Sequence, residues 1–156
     1  MEQIKFSAFS DLHYSPNTWY PDIDKRLDAV LARAKEEKVD FIIHAGDFSH
    51  RVEVCTDVID RYNRFEIPTY HTLGNHEFDS NSPAEVLAAY QMPSDSYWFD
   101  CGGFRIISVS TNACRIGGED VPYDHGNYFQ HPEERDYVAK KEMEVLREGL
   151  LTSPFP

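Results

Sequence analysis

The sequence predicts an α/β fold that begins β-α-β-α-β with parallel strands and continues with a β-hairpin and a C-terminal helix. Over residues 4–91, short apolar runs that end on polar residues alternate with stretches whose apolar residues recur every three or four positions. Such alternation with short connections is typical of a parallel sheet with helical crossovers. Further on, two strand-like runs surround a pair of glycines, which indicates an antiparallel hairpin.

The first half of the chain supplies the parallel strands and their crossovers. Residues 4–10 form an apolar-rich run that predicts a strand, and a loop with two prolines, Pro16 and Pro21, follows. Residues 22–38 predict an amphipathic helix, and residues 40–47 predict the second strand. The apolar positions of that helix are Ile23, Leu27, Val30, Leu31 and Ala34.

A second crossover and a third helix complete this half. Residues 52–65 keep the helical period, and residues 67–77 predict the third strand. The third helix begins after Ser82, since Pro83 occupies the first helical position and Glu85 lies three residues beyond the cap.

The second half has a different character. Residues 96–111 predict a hairpin that turns at Gly102 and Gly103. Residues 112–133 are polar and rich in glycine and proline, which predicts a long loop, and residues 133–151 predict a helix. The residues expected on or near one apolar face of that helix are Val138, Val145, Leu146 and Leu150.

Composition limits the class of protein. We expect residues 1–156 to form one domain, because 156 residues suit a single hydrophobic core. The net charge of −12 argues against a general nucleic-acid binder or a membrane-surface protein, which needs a basic face, but it suits bound cations. The odd number of cysteines indicates a reducing compartment. The first residues, MEQIKFSAFSD, are too polar to predict a signal peptide, and no apolar run approaches the roughly 18 residues of a membrane span. A cytoplasmic protein is therefore expected.

Three short polar motifs close the first three predicted strands. They are DLH with Asp11 and His13, GD with Asp47, and GNHE with Asn75 and His76. A single strand-ending aspartate is more often a turn or cap residue. Three motifs in order are expected to converge, because functional groups gather beyond the carboxyl ends of parallel strands. Two carboxylates, an imidazole and an amide oxygen suit Mn, Fe or Zn, and a glycine before Asp47 and another before Asn75 leave room for a ligand.

The series DLH, GD and GNHE resembles the signature of the calcineurin-like metallophosphoesterase family, which runs D-x-H, G-D, G-N-H-[DE], then a later His and G-H-x-H. The resemblance extends over residues 4 to about 111. It implies part of a metallophosphoesterase-type α/β sandwich and a hydrolase of phosphoric esters.

The resemblance also implies roles for five residues. Asp11 and His13 would hold the first metal ion, Asp47 would bridge two ions, and Asn75 would hold the second. His76 would protonate the leaving oxygen or stabilise the transition state. The two ions, Mn, Fe or Zn, would share a hydroxide that attacks phosphorus.

Arg51 is a candidate ligand of the substrate phosphate. It lies four residues after Asp47, the spacing of a phosphate-binding arginine in the protein-phosphatase branch, G-D-x-x-D-R-G. The sequence departs from that motif at His50 and Val52, so Arg51 is either a phosphate ligand or a solvated residue. The departure weakens the case for a protein substrate.

The remaining histidines and three aromatic residues have ordinary interpretations. We expect His44 and His71, within strands, to be packed or hydrogen-bonded scaffold. His125 and His131 are expected at the surface, with a substrate cleft as the alternative. Packing is favoured over a place in the cleft for Trp19, Tyr20 and Tyr128.

Two elements of the family signature do not occur in these 156 residues: the later His and G-H-x-H. We therefore expect a domain truncated at its C-terminus and an incomplete site with weak metal binding, particularly at Asn75, and little or no turnover. Two tightly bound metal ions per chain in elemental analysis would contradict this expectation. An exposed sheet edge would favour a homodimer, which a clean monomer in sedimentation would contradict.

Two alternatives to a self-sufficient hydrolase stay open. The chain could be a non-catalytic metal-binding or interaction module that keeps the scaffold, or an oligomer in which another chain supplies the missing histidines. The sequence does not identify the phosphate ester, and it does not distinguish a monoester from a diester.

Overall fold

The computed structural model describes residues 3–15 and 22–155. Four residues discussed above lie outside these ranges: Pro16, Trp19, Tyr20 and Pro21. The described residues form seven strands and four α-helices. In chain order these are β1 (Phe6–Phe9), α1 (Ile23–Glu36), β2 (Phe41–Ala45), α2 (Thr56–Asn63), β3 (Thr69–Thr72), α3 (Pro83–Ala89), β4 (Tyr97–Cys101), β5 (Phe104–Ser108), β6 (Ala113–Ile116), β7 (Glu119–Pro122) and α4 (Lys140–Leu151).

The first three strands form a parallel sheet in the order β1-β2-β3. β4 and β5 pair antiparallel around a turn at Gly102 and Gly103, whose φ angles are 55° and 83°. These positive angles are strained for residues with a Cβ, so the two glycines suit the turn. The mixed α/β architecture, with its parallel start, hairpin and C-terminal helix, is therefore confirmed.

The two faces of β2 contact different layers. His44 packs against Phe9 and Phe48, at ring-centroid distances of 5.1 and 4.9 Å, on the face that also buries Tyr62 of α2. Phe41 lies on the opposite face, 5.1 Å from the ring of Phe99 in β4. Because successive side chains of a strand point to opposite faces, the sheet is covered by helices on one side and by the hairpin on the other.

The first and third predicted helices form, and the second is divided. Leu27 and Leu31 of α1 are buried. The third helix has the predicted capping box, in which the Ser82 hydroxyl accepts the Glu85 N–H and the Glu85 carboxylate accepts the Ser82 N–H. The predicted helix at residues 52–65 is divided into a 3-10 turn, Val52–Val54, and α2.

The long loop predicted for residues 112–133 is wrong. This segment contains the antiparallel pair β6 and β7 and a 3-10 helix, Asn127–Gln130. The two strands turn at Gly117 and Gly118, at φ angles of 58° and 90°. Four-residue strands that carry charged side chains give too little alternation to be recognised in the sequence.

The helix predicted for residues 133–151 begins later than expected. Backbone hydrogen bonds join this region to β6 instead: the N–H of Arg115 donates to the carbonyl of Glu134 at 2.8 Å, and the N–H of Tyr137 donates to the carbonyl of Ala113 at 3.0 Å. These tertiary hydrogen bonds replace helical ones, and α4 starts only after Ala139. Its apolar face also differs from the prediction, since the side that packs on the hairpin carries Gly149, and Leu150 is 64% exposed.

No helix among the described residues is long and apolar enough to cross a membrane.

Candidate metal centre

The loops that follow β1 and β2 run side by side at the carboxyl edge of the sheet. The N–H of Asp11 donates to the carbonyl of Gly46 at 3.0 Å, and the N–H of His13 donates to the carbonyl of Asp47 at 2.8 Å. The ladder between the two strands thus continues beyond them and fixes the DLH motif against the GD motif.

Three of the predicted site residues have a left-handed backbone. The φ angles are 56° at Asp11, 50° at His13 and 63° at Asp47. Aspartate and histidine tolerate this region better than most residues, yet it still costs about 1 kcal/mol at each position. Such conformations persist where the surrounding contacts hold them, and they occur often at functional sites.

Gly46 and Gly74 let the second and third loops approach closely. A Cβ on Gly74 would lie 2.2 Å from the Oδ1 atom of Asp47, and one on Gly46 would lie 3.1 Å from the Cα of Gly74. Gly46 also has a φ angle of 104°. A side chain at Gly74 would displace Asp47, so the close approach of the GD and GNHE loops depends on these two glycines.

Most of the predicted side chains come together at this edge. One ligand atom each from His13, Asp47 and His76 lies within 4.8 Å of the others, and all three residues are partly buried. The Oδ1 atom of Asp11 lies 3.6 Å from the Nε2 atom of His13. A hydrogen bond from the side chain of Ser10 lowers the pKa of Asp11.

Asn75 and Arg51 differ in their surroundings. The amide Nδ2 of Asn75, next to His76 in the chain, donates to the phenol oxygen of Tyr128 at 3.1 Å. Arg51 instead forms an ion pair with Glu53 at the surface, where its side chain is 58% exposed.

Glu77 holds the backbone of the two loops that carry Asp47 and Asn75, a role that the sequence analysis missed. Its carboxylate is fully buried and accepts backbone N–H groups at 3.0 Å from Asp47, 3.3 Å from Ser49 and 2.7 Å from Gly74, and a further one from Phe48. Burial raises the pKa of Glu77 to about 7, although these donors favour the charged form. The last letter of GNHE was the available signal for this residue.

Asp79 is a second residue that the sequence analysis missed. Its Oδ2 atom lies 2.8 Å from the Nδ1 atom of His50 and 2.8 Å from the Nδ1 atom of His76, and these three side chains form a second group that could hold a cation. Burial opposes ionisation of Asp79, but hydrogen bonds from His76, Tyr128 and His50 outweigh it and lower its pKa.

Tyr128 makes polar contacts with site residues in addition to packing. It is buried, and its hydroxyl bonds to the carboxylate of Asp79 as well as to Asn75. No signal in the sequence connects Tyr128 with residues some 50 positions earlier. Asp79 could have been suspected, since it follows His76 by three residues, a spacing that suits contact within a helical turn.

The remaining histidines lie where the sequence predicted. His44 and His71 are buried in the sheet, His125 is 59% exposed beside Asp124, and His131 lies 3.9 Å from Glu134 at the surface.

Comparisons with known proteins identify a family model and a solved structure that resemble this chain. Residues 4–150 match a family model described as calcineurin-like phosphoesterase. A dimetal phosphatase from Danio rerio superposes with a TM-score of 0.69 at 16% sequence identity, over 98% of this chain and 66% of that one. This chain therefore spans slightly less than two thirds of the phosphatase, and at this identity the likeness shows a shared fold.

A second solved structure, a protein of unknown function from Aquifex aeolicus, is also 16% identical and covers 97% of this chain and 74% of that one. Its TM-score of 0.40 is too low to indicate a shared fold. A search of curated proteins finds no match.

Proposed function

The chain belongs to the calcineurin-like phosphoesterase family, and we propose on that premise that it is a metal-dependent hydrolase of phosphoric esters. The observation that carries the proposal is the convergence of His13, Asp47 and His76 within 4.8 Å at the carboxyl edge of the sheet. Three separate strand ends supply these residues, which ordinary turn or cap roles would not require.

The donor set suits a dinuclear metal centre. Asp11 and His13 would hold one ion, and Asn75 would hold the other through its amide oxygen. Asp47 would bridge the two ions, because a carboxylate has two oxygens. Mixed oxygen and nitrogen ligands of this kind suit Mn, Fe or Zn. Such a pair of cations, when bound, polarises the phosphate ester and activates the attacking water.

His76 is proposed as the proton donor to the leaving oxygen. Its Nδ1 atom lies 2.8 Å from the carboxylate of Asp79, so its Nε2 atom is the one that remains to face the substrate. The cationic ring, protonated on both nitrogens, would be the form that donates the Nε2 proton. Its backbone N–H donates to the carboxylate of Asp47 at 3.1 Å, which ties the donor to the bridging ligand.

Two further expectations remain proposals with less support. Arg51 would bind the substrate phosphate only by exchanging its partner Glu53 for that phosphate. A homodimer through a strand edge is supported by the outer position of β1 in its sheet and by Phe6, which is 51% exposed.

The test is hydrolysis of chromogenic phosphate monoesters and diesters with and without Mn²⁺. We expect weak metal-dependent turnover, because the later His and G-H-x-H of the family signature do not occur in these 156 residues. Asp47→Asn should abolish it, since the bridge between the cations is lost while asparagine still tolerates the left-handed backbone. Asp28→Asn is the matched control, because Asp28 lies exposed on α1 and pairs only weakly with Arg61 at 3.4 Å.

Metal binding by the unaltered protein without any hydrolysis would contradict the proposal. That result would favour the rival interpretation, a non-catalytic metal-binding module. If mixing Asp11→Ala with His76→Ala chains restored lost activity, the site would be shared between chains.

A further inference from the structure

The carboxylate of Asp79 is the acceptor for three side chains. The Nδ1 atoms of His50 and His76 each lie 2.8 Å from its Oδ2 atom, and the hydroxyl of Tyr128 bonds to its Oδ1 atom. An ionised carboxylate can only accept hydrogen bonds, so all three partners must donate. In their neutral forms, His50 and His76 therefore carry their proton on Nδ1.

This assignment extends to His13, which touches His50 but for which no contact with Asp79 is described. With its proton on Nδ1, His50 presents an unprotonated Nε2 atom, and the Nδ1 atom of His13 lies 3.0 Å from it. His13 must then donate from Nδ1 to complete this bond. Its own Nε2 atom keeps a lone pair, and that atom lies 3.6 Å from the carboxylate of Asp11. The lone pair is what a metal ion requires of an imidazole ligand.

A second branch extends to Asn75. Because the Tyr128 hydroxyl donates its proton to Asp79, its oxygen is an acceptor for the Nδ2 atom of Asn75, at 3.1 Å. The amide nitrogen is thereby held, and the amide oxygen of Asn75 is left for another partner. An oxygen is the atom that Asn75 would offer to a metal ion.

We propose that Asp79 is the positioning residue of this centre: through one carboxylate it orients His76 directly, His13 through His50, and Asn75 through Tyr128. The proposal rests on the proposed function for the meaning of these orientations. The hydrogen-bond chain itself can be tested without substrate. Outer partners of metal ligands commonly act in this way, by fixing a tautomer and a ring orientation.

The decisive variant is Asp79→Asn, with imidazole tautomers read by long-range ¹H–¹⁵N spectra of the metal-free protein. We expect Nδ1-protonated rings for His13, His50 and His76 in the unaltered protein. The variant should lose this fixed tautomer at all three, including His13, for which no direct contact with the substituted residue is described. Affinity for Mn²⁺ should fall about tenfold to hundredfold, the usual cost of losing an outer partner.

Three further variants separate the branches. His50→Phe should release the tautomer of His13 and leave that of His76 fixed. Tyr128→Phe should leave both tautomers fixed while weakening Mn²⁺ binding, because only the Asn75 branch is cut. Asp124→Asn is the matched control, since Asp124 is also bonded to a histidine, the exposed His125. These variants keep the proposal testable even if Asp79→Asn does not fold.

Two outcomes would overturn the proposal. One is an unchanged His13 tautomer in both Asp79→Asn and His50→Phe. The other is loss of a whole bound ion per chain in Asp79→Asn, which would make Asp79 a ligand in the group with His50 and His76. Absence of hydrolysis by the unaltered protein would overturn the proposed function alone, because the tautomers are measured without substrate.

Discussion

Histidines occur both in the interior of the parallel sheet and at its carboxyl edge, but their burial and their hydrogen-bond partners differ. His44 and His71 are buried in the interior, where both ring nitrogens of His44 and the Nδ1 atom of His71 lack a hydrogen-bond partner among the described residues. His13, His50 and His76 at the edge have side chains about a third exposed, and each has a ring nitrogen within hydrogen-bond distance of a carboxylate or of another imidazole.

The difference shows that the environment assigns the role of a histidine. Burial lowers the pKa of His44 to about 3 and also that of His71 well below its usual value, so both stay neutral and pack as aromatic rings. At the edge, the carboxylate of Asp79 contacts His50 and His76, and the ring of His50 contacts His13, so these rings have polar partners. The interior histidines are part of the packed core, and the edge histidines lie among polar groups that could hold a metal ion.

Glu77 contacts both regions, and its substitution should have the largest effect on the free energy of unfolding. It is buried as deeply as His44, yet it holds the backbone of the Asp47 loop and of Gly74. Glu77→Ala leaves several buried N–H groups without a partner, and we expect a loss of about 3 kcal/mol or more in the free energy of unfolding. Urea denaturation measures it.

Glu53→Ala is the control for this comparison, because Glu53 has an exposed side chain, and a change within about 0.5 kcal/mol is expected. A loss below about 1 kcal/mol for Glu77→Ala would mean that the edge is held independently of the interior.

His13→Gln should separate binding from stability. We expect Mn²⁺ affinity to fall by about 100-fold, equivalent to about 2.7 kcal/mol, because a ligand is removed. The free energy of unfolding of the metal-free protein should change little, since His13 is partly exposed. Calorimetric titration with Mn²⁺ and urea denaturation give the two values.

His131→Gln is the matched surface control and should leave both quantities unchanged. If His13→Gln and His131→Gln bound Mn²⁺ equally well, the edge cluster would not be the metal centre.

His44→Phe should reduce the loss of stability at acid pH, and this is the smallest of the three expected effects. Burial lowers the folded-state pKa of His44 from its ordinary value of 6.5 to about 3. Between these two values, His44 binds a proton in the unfolded chain but stays neutral in the folded chain. The free energy of unfolding therefore falls as the pH drops from about 6.5 towards 3. The unaltered protein should lose about 1 to 2 kcal/mol more than the variant between pH 7 and pH 5. Urea denaturation at the two pH values measures this difference.

His125→Gln should keep the acid dependence of the unaltered protein, since His125 is exposed. Equal pH dependence in the unaltered protein and His44→Phe would show that His44 is protonated without unfolding, and the contrast between interior and edge would fail.

The sequence predicted the elements whose signals are local. The spacing of Leu27 and Leu31 predicted α1, and the capping box of Ser82 and Glu85 predicted the start of α3. Apolar runs that end in DLH, GD and GNHE predicted the parallel strands and the edge where their motifs meet. Each of these patterns lies within about a dozen residues, and the backbone geometry of helices and strands repeats over that length.

The tertiary structure alone decided the surroundings of the site. β6 and β7 formed where a loop was expected. They are stabilised by their pairing with each other and by backbone hydrogen bonds between β6 and the segment before α4, and neither contact is visible in the local sequence. The contacts of Asp79 with His50 and Tyr128 join positions 29 and 49 residues apart. No periodicity connects such positions, since a hydrogen bond depends on where folding brings two atoms. The sequence thus determined at which edge of the sheet the three motifs meet, and the fold determined which other side chains contact them there.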